Sequence, residues 1–192
     1  FFTQPPSEYQ QREAEKICSL VALPSDNSKF EKFLNYLTGE EIVVLDNYFY
    51  TTEYQKRIKG RGCKLVCIDD MHDKHYVADV VVNHGLTDES LFDAESYTRL
   101  CLGFDYALLR KPFLQSSNTK KLPNSWFVAF GGTDYLNVTE RVLMTIHDFP
   151  CVENITVVIG DMYKYKENLK NYPKATIKRN LPAEEMAELM RK

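Results

Sequence analysis

The chain has 192 residues, of which 44% are apolar and 27% charged, proportions typical of a globular protein with a sizeable core. Its formal net charge of -3 argues against a nucleic-acid-binding surface or a basic membrane-facing surface. The sequence shows no secretory signal and no apolar run long enough to span a bilayer, so we expect a cytoplasmic protein. An anionic ligand would have to be held locally, by loops and helix ends.

The first half of the sequence predicts parallel βαβ units. Apolar residues at helical spacing predict a helix over 27–37, which Gly39 ends. A second helix is predicted over 51–58. Apolar runs bounded by polar residues predict buried strands, and the lack of short hairpin turns between them favours parallel pairing. The predicted strands lie at 41–46, 64–68 and 77–82.

A second α/β segment follows a polar stretch. Residues 114–125 (LQSSNTKKLPNS) lack apolar periodicity, so we interpret them as a linker. The elements predicted beyond it are strands at 126–130, 155–159 and 175–178 and helices at 137–147 and 182–190. The fold class is therefore predicted to be α/β with two incomplete domains, one over 1–113 and one over 126–192.

Polar residues follow four of the predicted strands. In an open parallel sheet, ligands bind beyond the carboxyl ends of the strands. A single polar strand end more often only emerges into solvent or caps a helix, but four together favour a ligand cleft. The four ends are Asp46-Asn47-Tyr48, Asp69-Asp70, Asn83-His84 and Gly131-Gly132-Thr133-Asp134.

Two adjacent glycines lead from a predicted strand towards a helix. Asn137 and Glu140 match the N-cap and N3 signature of a helix start. The N–H groups and positive dipole end of such a helix suit a phosphate, and Gly131 and Gly132 would let a diphosphate approach the backbone. The loop lacks the lysine of a P-loop and the spaced glycines of a dinucleotide fingerprint, so ATP and NAD are disfavoured. Plain connectivity is the alternative interpretation.

The run from Asp69 to His75 (DDMHDKH) places acids and histidines close together, as a metal site would. Its spacing matches no strong metal signature, and Lys74 would repel a cation. We therefore predict no metal and no other cofactor. The remaining histidines, His84 and His147, are more often structural than catalytic.

Four segments, in order, give the chain a resemblance to a known family. They are VVLDNYFYTTEYQKRI, KLVCIDDMHDKHYVADVVVNHG, LGFDYALLRKPF and FVAFGGTDYLNVTERVL. From about Phe1 to Lys192 the chain resembles the UDP-sugar hydrolases of pseudaminic acid biosynthesis, which release UDP from UDP-2,4-diacetamido-2,4,6-trideoxy-β-L-altropyranose. The resemblance implies two Rossmann-like domains of the type B glycosyltransferase architecture, both incomplete here, with the nucleotide sugar bound between them.

The resemblance also implies roles for individual residues. Tyr48 matches a tyrosine implicated in the family's active site, although its ring could instead pack on the strand end. Asn137 matches a position that contacts the substrate, and the loop from Gly131 through Gly132 and Thr133 to Asp134 would open the second domain at the cleft. The remaining substrate-binding candidates are the strand-end residues Asp46, Asp70 and Asn83.

Two family features have no counterpart in the sequence. The first is a Gly-x-Gly-His loop in the first βα unit, whose histidine is proposed to activate water; none of the four histidines has that context. The second is the segment that holds the ribose of the uridine nucleotide, which would follow Lys192. We therefore expect the chain to hold part of a site and to be inactive by itself, and a fused domain is compatible with this.

Three functions stay open. The leading one is hydrolysis, in which one water displaces UDP with inversion and the protein supplies a base and donors for the departing charge. A glycosyltransferase of the same architecture would need an acceptor pocket or an apolar, basic membrane-facing patch, and the sequence indicates neither. The third is a catalytically silent nucleotide-sugar-binding protein, favoured only if the full-length chain also lacks the base histidine.

Overall fold

The computed structural model describes residues 1–116 and 118–192, and it divides into two compact units. The first unit is Phe1–Leu108 and the second is Leu109–Lys192. All the named strand pairs in both units are parallel, which confirms the predicted α/β class. Among the described helices, none combines the length and the apolar character that crossing a bilayer requires.

The first unit contains two parallel sheets and three α-helices. Its strands are β1 (Phe2–Thr3), β2 (Val21–Ala22), β3 (Ile42–Asp46), β4 (Lys64–Ile68), β5 (Val80–Asn83) and β6 (Arg99–Leu102). Its helices are α1 (Glu8–Glu15), α2 (Ser28–Leu34) and α3 (Thr52–Gly60). The larger sheet has the order β3-β4-β5-β6, and the smaller one pairs β1 with β2. Because the four strands of the larger sheet are parallel, their carboxyl ends lie at the same edge of that sheet.

Alternation along β3 separates two faces of the larger sheet. Val43 and Leu45 are buried, whereas Ile42 and Val44 are 70% and 55% exposed. The buried face joins α2 and α3 in one apolar cluster, which includes the fully buried Ile58 of α3. The prediction of a buried strand therefore holds for only one face of β3.

The predicted strand at 77–82 begins three residues later, at Val80. The N–H of Val77 donates instead to the side-chain oxygen of Gln55, which is fully buried on α3, at 3.0 Å. The N–H of Asp79 donates to the carbonyl of Leu65 at 2.8 Å. The contact with the Gln55 side chain keeps Val77 out of the ladder, and apolar periodicity does not reveal such a contact.

The second unit contains one parallel sheet in the order β7-β8-β9, with β7 at Ser125–Ala129, β8 at Asn154–Ile159 and β9 at Ala175–Arg179. Its helices are α4 (Lys111–Leu114), α5 (Val138–Ile146) and α6 (Ala183–Arg191). The core joins this sheet to α5 through buried residues that include Val128, Leu143 and Val157. The predicted strands and helices of this segment are all present, and no bound differs by more than one residue.

The predicted linker, 114–125, falls within the second unit, and residues in and beside it contact the end of the chain. Arg191 of α6 donates to the carbonyl oxygens of Pro112 and Gln115, the latter at 2.8 Å. The N–H of Leu122 donates to the carbonyl of Lys192 at 2.7 Å. Within the predicted linker, Ser117 lies outside the described residues.

Candidate ligand-binding site

A cavity of about 480 Å³ opens at the carboxyl ends of β3, β4 and β5 in the first unit. Open parallel sheets bind their ligands at this edge. The cavity is lined by Asp46, Asn47, Tyr48, Ile68, Asp69, Asp70, Met71, Lys74, His84 and Leu108. Three residues that the sequence analysis singles out as candidates, Asp46, Tyr48 and Asp70, therefore share one cavity.

Tyr48 directs its hydroxyl group at Asp70. The side chain is 66% exposed, so the ring is not packed on the strand end. Its Oη donates to Oδ2 of Asp70 at 3.0 Å. This hydrogen bond and the charge of Asp70 raise the pKa of the Tyr48 phenol, because deprotonation would place two negative charges side by side. Tyr48 therefore stays protonated at neutral pH, with its hydrogen engaged.

Asp69 is fixed at the back of the cavity. Its Oδ2 accepts the N–H of His72 at 2.8 Å and lies 3.4 Å from Nδ2 of Asn83. The Oδ1 of Asn83 accepts the N–H groups of Gly85 and Leu86, at 2.9 and 3.1 Å. Asn83 is buried, so the structure places it behind the cavity, where it supports Asp69 and the turn after β5.

Lys74 supplies the ammonium group of the cavity lining. Its side chain is 14% exposed, its Nζ lies 4.0 Å from Oδ1 of Asp69, and it also pairs with Asp73. The Nζ is 4.9 Å from the centre of the Tyr50 ring, within the range of a cation–π contact. The lining contains three carboxylates, Asp46, Asp69 and Asp70, against the one ammonium of Lys74, so the cavity is net negative.

Seven of the ten lining residues are not among the predicted ligand-binding residues, and two of these seven, Lys74 and His84, have basic side chains. His84 follows Asn83 at a polar strand end that the sequence indicates, but histidines at such positions are more often structural, so it is not predicted to bind a ligand. No sequence signal of this kind marks Lys74. It reaches the cavity because the loop between β4 and β5 folds back on the sheet, and residue spacing does not predict that path.

The acid–histidine run does not form a cluster. His75 lies between Asp93 and Glu95, with Nδ1 2.8 Å from Oδ1 of Asp93 and Nε2 3.3 Å from Oε1 of Glu95. The ring of His72 instead lies near Phe92, with 5.9 Å between ring centres. Among the residues that the structure describes, no three His, Cys, Asp or Glu side chains converge as a metal site would require.

We expect the contacts of His75 to stabilise the fold in a pH-dependent way. Hydrogen bonds to Asp93, and then to Glu95, raise the pKa of His75. Its contribution is fully present below the unfolded pKa, about 6.5, and is lost as the pH rises through the folded pKa. Urea titrations monitored by circular dichroism from about pH 5.5 to about pH 9 should show the unfolding free-energy difference between wild type and His75→Gln shrinking as pH rises. A constant difference would contradict this prediction.

The helix that follows the glycine loop is capped by a different residue from the predicted one. Asn137 precedes the first residue of α5, but it is left-handed, with φ of 52°, and its side chain makes no capping hydrogen bond. The carboxylate of Asp134 instead accepts the N–H groups of Val138 and Thr139, each at 2.8 Å. The helix therefore starts where predicted, with Asn137 at the N-cap position, but the Asn137 side chain does not cap it. Asp134 occupies two of the N–H groups that a phosphate could have used.

The side chain of Asn137 is engaged within the second unit. Oη of Tyr163 donates to Oδ1 of Asn137 at 2.6 Å, and Nδ2 of Asn137 donates to the carboxylate of Glu140. The same carboxylate accepts from Nδ2 of Asn168 at 2.8 Å. A ligand that binds Asn137 would have to share or replace these hydrogen bonds.

Gly131 and Gly132 differ in conformation and surroundings. Gly131 has φ of 72°, a conformation that favours glycine. A Cβ on either residue would meet no atom within 4 Å, and Thr133 beside them is also exposed. The close approach lies at Gly160, where a Cβ would stand 2.2 Å from the carbonyl oxygen of Gly132. The outer side of the glycine loop is therefore open to a ligand, while its inner side packs against the end of β8.

No protein-family model matches the chain. The chain is similar to the uncharacterized protein MJ1062 of Methanocaldococcus jannaschii, with 30% identity over 184 residues. The similar region covers 87% of this chain and 38% of that protein, so the chain spans well under half the length of this relative. Both units take part in the similarity, because each is larger than the part of the chain left uncovered.

Proposed function

We propose that this chain belongs to a UDP-sugar hydrolase of the kind that acts in pseudaminic acid biosynthesis. The reaction would cleave the bond between the anomeric carbon and UDP in a UDP-diacetamido-trideoxy sugar. The observation that carries this proposal is the cavity of about 480 Å³ at the strand ends, with the Tyr48–Asp70 pair in its lining. The proposal includes the type B glycosyltransferase architecture, a cytoplasmic location and a reaction without a cofactor.

The charge of the cavity favours the sugar part of the ligand over the pyrophosphate. Asp46, Asp69 and Asp70 contribute carboxylates, and the ammonium of Lys74 is already paired. A pyrophosphate would be repelled by this lining. Hydroxyl and acetamido N–H groups would instead donate hydrogen bonds to the carboxylates.

The chemistry requires an activated water and little help for the leaving group, because UDP is already a stable anion. Tyr48 does not serve as the base, since its phenol stays protonated. We propose that Tyr48 positions the water or the sugar. Direct displacement by one water, with no carboxylate acting as a nucleophile, inverts the configuration at the anomeric carbon.

The decisive experiment incubates the full-length protein that contains these residues with UDP-2,4-diacetamido-2,4,6-trideoxy-β-L-altropyranose. Phosphorus and proton NMR should show release of UDP and of the free sugar with inverted configuration. Transfer of the sugar to an added acceptor would favour a glycosyltransferase. Binding without release would favour a silent nucleotide-sugar-binding protein.

Replacing Tyr48 should separate chemistry from packing. Tyr48→Phe keeps the ring, so kcat and kcat/KM of the full-length protein should fall together, by about tenfold to hundredfold, if the hydroxyl acts in the transition state. Tyr36→Phe is a matched control, because Tyr36 is also an exposed tyrosine but lies outside this cavity. Wild-type turnover in Tyr48→Phe would contradict the assigned role.

The same assay tests the histidine of the cavity. His84 is the one imidazole in its lining. The family resemblance assigns the base to a histidine in a different sequence context, so His84→Gln should retain most of the activity. Loss of activity in a normally folded His84→Gln variant would instead indicate that His84 is the base.

A further inference from the structure

We propose that Asp70 acts through Tyr48, by holding the phenol hydrogen so that the Tyr48 oxygen meets the ligand as a hydrogen-bond acceptor. Asp70 is then a positioning residue, and Tyr48 selects a ligand group that donates, either an O–H or an N–H. The identity of the ligand rests on the proposed function. The Tyr48–Asp70 pair itself can be tested without it.

Tyr48 has only one hydrogen on its hydroxyl group to donate. A phenol has one O–H donor, and its oxygen can also accept hydrogen bonds. The hydrogen of Tyr48 is directed at Oδ2 of Asp70, 3.0 Å away. An ionised carboxylate only accepts, so the direction of this hydrogen bond is unambiguous. What Tyr48 offers the cavity is therefore the acceptor capacity of its oxygen.

Asp70 is supported by the neighbouring residue, Asp69. Asp69 is held by the N–H of His72 at 2.8 Å and lies 4.0 Å from Nζ of Lys74. The backbone that enters Asp70 is therefore anchored, although Asp70 itself is exposed. Lys74 does not compete for Asp70, because Asp69 and Asp73 engage it. The hydroxyl of Tyr48 is thus the donor that Asp70 meets in this cavity.

The acceptors around Tyr48 restrict what the cavity can bind. Asp46 stands on the other side of Tyr48 in sequence, lines the same cavity and also adds negative charge near the phenol. Asp46, Asp70 and the Tyr48 oxygen all accept, so these three groups offer no donor to an anionic oxygen. Their negative charge repels a phosphate, whereas an uncharged ligand rich in O–H and N–H groups can donate to all three. The Tyr48–Asp70 pair thus favours a bound group that donates a hydrogen bond over one that only accepts.

The pair can be measured directly in the 192-residue chain. Tyrosine labelled with ¹³C at Cζ reports the ionisation of each phenol by NMR, and Tyr48→Phe identifies the Tyr48 signal. In the wild type, Tyr48 should titrate above the ordinary value of about 10, and Asp70→Asn should return it towards that value. Asp46→Asn, which removes a charge but no hydrogen bond, should have a smaller effect. An unchanged titration of Tyr48 in Asp70→Asn would overturn the proposal.

A double-mutant cycle tests whether Asp70 works through Tyr48. In the full-length protein, Asp70→Asn should lower kcat/KM for the UDP-sugar about as much as Tyr48→Phe does, and the double variant should be little worse than either. Effects that multiply in the double variant would show that Asp70 acts independently, and would overturn the inference. If no hydrolysis is detected at all, the proposed function fails, while the NMR titration still decides whether the pair exists.

Discussion

Gly160→Ala should destabilise the second unit by about 3 kcal/mol, at the upper end of the usual cost of overpacking. The added Cβ would lie 2.2 Å from the oxygen and 2.5 Å from the Cα of Gly132. Both are backbone atoms, so the glycine loop and the end of β8 would have to separate. The single tryptophan, Trp126, lies in β7 and reports unfolding of this unit by fluorescence in urea.

Gly132→Ala is the matched control, because it adds the same methyl group on the other partner of the contact. A Cβ there would meet nothing within 4 Å, so the free energy of unfolding should change by less than about 0.5 kcal/mol. Equal effects of Gly160→Ala and Gly132→Ala would show that the two segments do not approach this closely in solution.

Asp134→Ala should reduce the unfolding free energy of the second unit by about 2 kcal/mol. The carboxylate accepts two N–H groups in the first turn of α5, and its removal leaves both without their acceptor. It also removes a negative charge from the positive end of the helix. Thr133→Ala, at the exposed neighbouring position, is the control and should have little effect.

The effect of Asp134→Ala should depend on pH. Burial raises the pKa of Asp134, but the hydrogen bonds from Thr139 and Val138 outweigh it, so the pKa is lowered. The contribution of a group with a lowered folded pKa is present above the unfolded value, about 3.9, and is lost as the pH falls through the folded pKa. The stability difference between Asp134→Ala and wild type should therefore be constant from about pH 7 to about pH 5 and shrink between about pH 5 and about pH 2. A difference that stays constant over this lower range would contradict the cap.

Long apolar runs between polar boundaries made the central strands predictable. β4 has the predicted bounds, and β3 and β8 differ from theirs by one residue. The strand Arg99–Leu102 is not predicted, because four residues carry little periodicity and its place in the sheet depends on pairing with β5. The strands β1 and β2 are shorter still, with two residues each, and only their pairing with each other defines them.

Parallel pairing explains why polar residues at the carboxyl ends of predicted strands include part of the cavity lining. Asp46 and Asp70 come together because β3 and β4 end at the same sheet edge. Asn83 also ends a strand, but in β5 it alternates onto the buried face with Val81, so it lies behind the cavity. Period-two alternation could have revealed this. Sequence spacing could not predict that Asp134 caps α5, because this contact depends on a left-handed backbone at Asp134 and Asn137.

The sequential order of the strands has a consequence for synthesis on the ribosome. In both larger sheets each new strand pairs with the strand that precedes it along the chain. No strand has to be inserted later between two others, so the sheet can grow by addition at one edge as the nascent polypeptide emerges. Pairing between sequence neighbours also keeps loop closure short for a parallel sheet, and short loop closure favours rapid folding. The order β3-β4-β5-β6 thus permits strand-by-strand assembly during translation, in which each added strand would extend the carboxyl-end side of the sheet that carries the cavity.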